Sequence, residues 1–170
     1  MKRFMTFLFG MIFCLVLIAV GGYLYIQGGH MPVATSAPPL PLEKRIAGMA
    51  LKARIAAEAP KDAPIQPDEP NLTAGAQIYT TNCAFCHGLP NQATPPAAAR
   101  GMFPVPPQLF EHTVTDDPVG ETYWKVANGI RLTGMPGFSK SLSDTQMWQV
   151  SLAMAHADKL PDAAKAALKK

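Results

Sequence analysis

Residues 81–88 read TNCAFCHG and hold two of the three cysteines of the chain, with a histidine directly after the second. How Cys83, Cys86 and His87 are read decides the fold, because three chemistries use a cysteine pair at this spacing. A structural zinc site needs four ligands, as a rule from a second Cys or His pair. No such pair exists: His112 and His156 are isolated, and Cys14 lies in a long apolar run, where it reads as an inert packing residue. A thioredoxin-like dithiol needs a βαβ setting, and no segment alternates as a strand would. The third chemistry is covalent haem attachment through Cys-x-x-Cys-His. Each sulfur would bond one vinyl-derived carbon of the porphyrin. Two intervening residues set the sulfurs that far apart along one turn of chain, and the histidine then points at the iron. The motif therefore favours one haem c.

The surrounding sequence agrees. A globular body is expected over residues 71–160. It opens on a helix, with Thr73 as its candidate N-cap and Gln77, Ile78 and Tyr79 following. Leu89 to Leu109 is dense in proline and glycine and has no period, so it reads as a long loop. Loops of that length in a small domain wrap something or carry function. The next helix has Asp117 as candidate cap, Pro118 in the first turn and Asn128-Gly129 at its end. A last helix begins with Ser143 and Gln146 in capping-box spacing. Met147, Val150 and Met154 form one apolar stripe on it, and Trp148, Leu152 and Ala155 a second. The fold class is all-α, with short helices and long loops. Such a body buries little apolar surface by itself, and a haem would fill its middle.

A haem iron held by His87 has a second axial position. Beyond residue 70 the methionines are Met102, Met135, Met147 and Met154. The last two lie on the helical stripe and read as core. Met102 follows His87 by only 15 residues, in a loop needed to cover the histidine side. Met135 comes after a full helix, between Gly134 and Pro136-Gly137, which allow a tight backbone path. Met135 is the favoured ligand, with Met102 and then His112 as alternatives.

With these residues in view, the chain resembles a class I, monohaem, His/Met cytochrome c over residues 71–160. The stretch YWKVANGIRLTGMPGF, 123–138, is especially similar to membrane-anchored bacterial members of that class. The resemblance implies the cytochrome c fold, with an N-terminal helix crossing a C-terminal one; Gly75 and Tyr79 match the first, Trp148 and Leu152 the second. It implies a haem pocket lined by Phe103, Pro107, Leu109, Trp124, Ile130 and Phe138. It also implies that a carbonyl of the proline-rich loop orients His87, without saying which. Attachment of this kind is completed outside the cytoplasm.

The N-terminal part lies outside the resemblance. Residues 1–3 read as a cytoplasmic stub. After Lys2 and Arg3 no charge occurs before Glu43, and Phe4 to Ile26 is almost wholly apolar. At 1.5 Å per residue this run reaches roughly 34 Å, enough to cross a bilayer core. Its length favours an uncleaved anchor over a cleaved signal. Tyr23 and Tyr25 suit the far interface, and the basic N-terminus would stay in the cytoplasm. Residues 27–70 read as a Pro-rich linker. Within it, residues 43–58 form either a short amphipathic helix with Ile46, Met49, Ala50 and Ala53 on its apolar stripe, or a marginal helix with no partner. Residues 161–170 read as a basic tail.

Formal net charge is +3, but residues 71–160 carry five Lys/Arg against six Asp/Glu. A near-neutral body offers no footprint for nucleic acid. An iron with two protein ligands has no place for a small-molecule substrate, so electron transfer is expected rather than catalysis, at a potential raised by the methionine. The expected protein is a single-pass, inner-membrane cytochrome with its haem domain on the periplasmic side. It would serve redox partner proteins, as a carrier or as the haem subunit of a respiratory oxidoreductase complex. The alternative is a gas-binding or sensing protein with a displaceable methionine.

Overall fold

The computed structural model describes residues 2–110, 115 and 117–169. Every regular element among these is helical. The chain divides into two compact units, Met1–Pro41 and Leu42–Lys170. The first is essentially one helix, α1, over Lys2–Gln27. It buries none of its residues and carries apolar side chains all round, Phe7 and Ile18 being about 70 % exposed (69% and 72%). Among the described residues it is the helix long and apolar enough to cross a membrane.

The second unit contains α2 (Glu43–Glu58), α3 (Glu69–Asn82), α4 (Ala84–His87), α5 (Ala97–Arg100), α6 (Val119–Asn128), α7 (Asp144–Ala155) and α8 (Asp162–Ala167). The crossing of α3 and α7 organises it. Gly75 sits at the crossing point: a Cβ there would lie 2.1 Å from the Gln149 carbonyl oxygen and 2.8 Å from the Ala153 Cβ. Only a residue without a side chain lets the two backbones come this close. The nearest atoms to Gly75 thus belong to Ala153 and the main chain of Gln149. Trp148 stacks on Tyr123 of α6, with ring centroids 4.0 Å apart. One turn beyond Gly75, Tyr79 is fully buried, and its hydroxyl donates to the Gly88 carbonyl at 2.7 Å.

Helix α7 is buried on nearly all sides, between α3 and α6. The expected capping box is formed: Ser143 Oγ accepts from Gln146 N–H, and Gln146 Oε1 accepts from Ser143 N–H. The other two caps differ from expectation. Helix α3 begins earlier, at Asp68, whose side chain accepts from Asn71 N–H, and Thr73 falls inside the helix. Asp68 precedes Glu69-Pro70, and a proline is tolerated in a first turn where N–H groups are unpaired anyway. Asp117 does not cap α6; its carboxylate pairs with Lys125 two turns on, and Pro118 occupies the cap position.

Two segments outside the expected body are packed. The stretch read as a basic tail contains α8, which packs on α3; Ala164 on it and Leu168 just after it are buried, and the Ala167 carbonyl accepts from Thr80 Oγ1 at 2.9 Å. Residues 43–58 form α2 along their whole length and touch α6. The expected stripe faces outward, however: Ile46 and Met49 are 62% and 63% exposed. The inward face carries Leu51 and Ile55, of which Ile55 is 5% exposed. The sequence offers two apolar stripes of similar weight, and the partner surface decides between them.

Candidate haem site

The attachment motif begins where α3 ends. Cys83 closes α3, and its carbonyl accepts from the N–H groups of Cys86 and His87, which starts the short turn of α4. That turn carries Cys83, Cys86 and His87 to the edge of one cavity of about 350 Å³. As a free thiol Cys83 titrates high, pushed up to about 12 by burial and then by neighbouring Cys86. Thiol exchange and zinc binding want the opposite, a readily formed thiolate. Among the described residues no three His, Cys, Asp or Glu side chains gather as a metal cluster.

His87 is oriented by main chain. Its Nδ1 lies 2.8 Å from the Pro107 carbonyl oxygen. A carbonyl only accepts, so Nδ1 carries the proton and Nε2 keeps its lone pair. Pro107 thus supplies the carbonyl that the sequence left unassigned. The same segment is fastened twice more: Leu109 N–H donates to the His87 carbonyl at 3.3 Å, and Gln108 Nε2 donates to the Cys86 carbonyl at 3.1 Å.

Met135 lines the same cavity. Its loop hangs from the end of α6. Ile130 N–H donates to the Met135 carbonyl at 3.1 Å, and Phe138 N–H to the Val126 carbonyl at 2.9 Å. Met135 N–H donates to Thr133 Oγ1, which itself donates to the Ile130 carbonyl at 2.6 Å. Gly129, at φ 68°, leaves no room for a side chain: a Cβ would come within 2.4 Å of Gly137 N and 2.8 Å of the Met135 carbonyl oxygen.

The remaining wall is largely apolar, with Pro104, Val105, Pro106, Val126, Val150 and Met154. Of the six expected pocket residues, Pro107, Leu109, Ile130 and Phe138 line the cavity, while Phe103 and Trp124 do not. Phe103 lies under the Lys44 ammonium, 5.8 Å from its ring centroid. Trp124 points its Nε1 at Glu58 Oε2, 3.1 Å away. Thr122, Val126 and Ile130 are spaced by four, so Trp124 falls on another face of the helix. Both Met102 and Met154 also line the cavity, and the Met102 sulfur is 2.8 Å from where a Gly134 Cβ would stand. His112 lies outside the described residues. Sequence reasoning missed Leu51, Asp117, Thr122 and Lys125, all on the cavity wall. Thr122 stands four before Val126 and Lys125 three after Thr122, so both could have been found by helical spacing; Leu51 carried no such signal.

Two thiols, an imidazole with its Nδ1 proton committed to a carbonyl and a thioether, gathered in one apolar cavity, fit a covalent haem. Residues 70–152 match the family model described as cytochrome C oxidase, cbb3-type, subunit III. These residues form a monohaem c-type cytochrome domain. Its cofactor is a covalently bound haem c. Among solved structures, the chain is similar to one in the Kuenenia stuttgartiensis reducing HAO-like protein complex, at 26% identity and a TM-score of 0.45. The likeness covers 57% of this chain and 48% of that one, so this chain spans about half of its length. No curated protein matches. The cytochrome domain accounts for α3 to α7 almost entire; α1 and α2 precede it and α8 follows.

Proposed function

We propose that this protein is a membrane-tethered electron carrier with its cytochrome domain facing the periplasm. Cys83 and Cys86 would hold the haem as thioethers, and His87 and Met135 would hold its iron. The observation that carries the reading is the meeting of His87, with its Nδ1 proton committed to Pro107, and Met135 in one cavity. When bound, the haem supplies a one-electron ferric/ferrous couple. The chain's own residues do the rest. Pro107 keeps the imidazole in the ligating tautomer. Val126, Val150, Leu109 and Phe138 keep water away, and Thr133 fixes the backbone of Met135. Were His87 and Met135 both to hold the iron, no substrate would reach it, and the task left to the protein would be outer-sphere electron transfer.

The tether rests on α1, whose apolar surface is exposed on every side. A helix of this kind is at home in lipid. Lys2 and Arg3 would keep its start in the cytoplasm and place Leu42–Lys170 across the membrane. Tethering holds a carrier at high effective concentration near membrane-bound partners. The family description favours service as the haem subunit of a respiratory complex.

Carbon monoxide added to the reduced protein tests the carrier reading. No spectral change is expected on the time scale of mixing. Rapid and complete binding would replace the carrier with a gas-binding protein. Carbonate washing of membranes tests the tether: the haem protein should stay in the pellet at full length, and release of a shortened chain would make α1 a cleaved signal.

A further inference from the structure

We infer that α2, which precedes the matched cytochrome domain, forms one wall of the haem cleft, and that Leu51 on this helix tunes the midpoint potential. The inference rests on the reading that the cavity holds the haem. Leu51 lines the cavity together with Pro104, Val105, Asp117 and Lys125. One turn on, Ile55 is buried. The end of the helix is latched to α6 twice. Glu58 Oε2 accepts from Trp124 Nε1 at 3.1 Å, and the Pro60 carbonyl oxygen fills the space over Gly120, 1.6 Å from where a Cβ would stand. Its beginning meets the proline-rich loop, where the Lys44 ammonium lies over the Phe103 ring. Helix α2 therefore bridges the two elements that flank this side of the cavity. A linker that only tethers has no reason for a glycine moulded to its carbonyl or an indole hydrogen-bonded to its last residue.

The consequence is electrostatic. Oxidation adds one positive charge to the haem, and water stabilises that charge better than a leucine side chain does. An apolar wall that excludes water therefore favours the reduced form and raises the potential. Leu51 is only half-buried, so it stands at the boundary between cavity and solvent.

The test is a spectroelectrochemical titration of the full-length holoprotein in detergent. Leu51→Gln should lower the midpoint enough to shift the equilibrium with a one-electron mediator about threefold or more, where tenfold is about 59 mV. Trp124→Phe and Glu58→Leu, which undo the latch, should move it the same way by less. Glu58→Gln, which still offers an oxygen to the indole, should stay at the wild-type value, as should Met49→Gln on the outward face. Leu109→Gln, on a wall within the matched domain, is the reference. If Leu109→Gln lowers the midpoint and Leu51→Gln does not, α2 is no wall and the inference falls alone. If neither moves it, the cavity does not hold the haem and both readings fall. Should Leu51→Gln fail to accumulate with haem, Leu51→Ala opens the same wall without a polar group: a lowered midpoint supports the inference, and an unchanged one overturns it.

Discussion

His87 follows Cys86 directly and is fastened to residues 107–109 by its ring and its carbonyl, whereas Met135 stands in a loop suspended from the end of α6. The histidine's place is set by adjacency: once the cysteines are attached, one turn of helix brings the imidazole along. The methionine's place is set by fit. It depends on Thr133, on Gly129 at positive φ, and on a close approach between Gly129 and Gly137. In the proposed ligation, a ligand placed by covalent neighbours would survive small errors elsewhere, while a ligand placed by backbone packing would not. The methionine side is where this cytochrome domain should fail first.

The sharpest way to break the contrast is Met135→Ala. It should abolish the sulfur-to-iron absorption band of the oxidised protein and lower the midpoint, while the haem stays attached through Cys83 and Cys86. Met102→Ala is the companion measurement, since Met102 lines the same cavity. If that variant loses the band and Met135→Ala keeps it, the ligand assignment passes to Met102. Gly129→Val should act next most strongly. A branched side chain at φ 68° meets the main chain of Pro136 and Gly137. A cost of about 2–5 kcal/mol in denaturant unfolding is expected, with a weakened band and unchanged haem attachment. A band at full strength would show that the loop finds its place without that glycine.

The smallest effect concerns the helix from which the methionine loop hangs. Tyr123 stacks on Trp148 and donates its hydroxyl to Asp144 at the start of α7. That hydrogen bond, with help from burial, holds the phenol protonated and pushes its pKa up to about 12. A phenol raised above its unfolded value of about 10 binds its proton more tightly when folded. Its contribution is therefore whole below about pH 10 and is lost as pH climbs toward 12. Tyr123→Phe keeps the stacking and removes the bond. It should cost a few tenths to about 1 kcal/mol at neutral pH, with the gap to wild type closing through that alkaline window. A gap that does not depend on pH would mean the hydroxyl adds nothing through its proton.

What could be read from the sequence follows the same division. The attachment motif, the all-helical class, the Ser143/Gln146 box and the Gly-Met-Pro loop are local patterns, and the structure carries each as a local feature. Errors came where two local signals competed. Asp117 looks like a cap, but Lys125 offers its carboxylate an ion pair. Trp124 looks like a pocket aromatic, yet the register that turns Val126 inward turns Trp124 toward Glu58. Which apolar stripe of α2 is buried, and whether the last ten residues pack, depend on surfaces contributed by distant parts of the chain. Leu51 was invisible for that reason: 32 positions separate it from Cys83 in the sequence, and only the tertiary fold sets them around one cavity.

The acceptor that holds the His87 proton belongs to the peptide group of Pro107 and not to any side chain. A substitution at position 107 exchanges the ring but leaves the oxygen. The control of the imidazole's tautomer is therefore written in the path of the loop, where side-chain replacement cannot erase it. A peptide oxygen also does not titrate in the range where proteins stay folded. The partner that holds the His87 Nδ1 proton is in consequence the same at every pH at which the domain stays folded, as it would not be if a carboxylate stood in the same place.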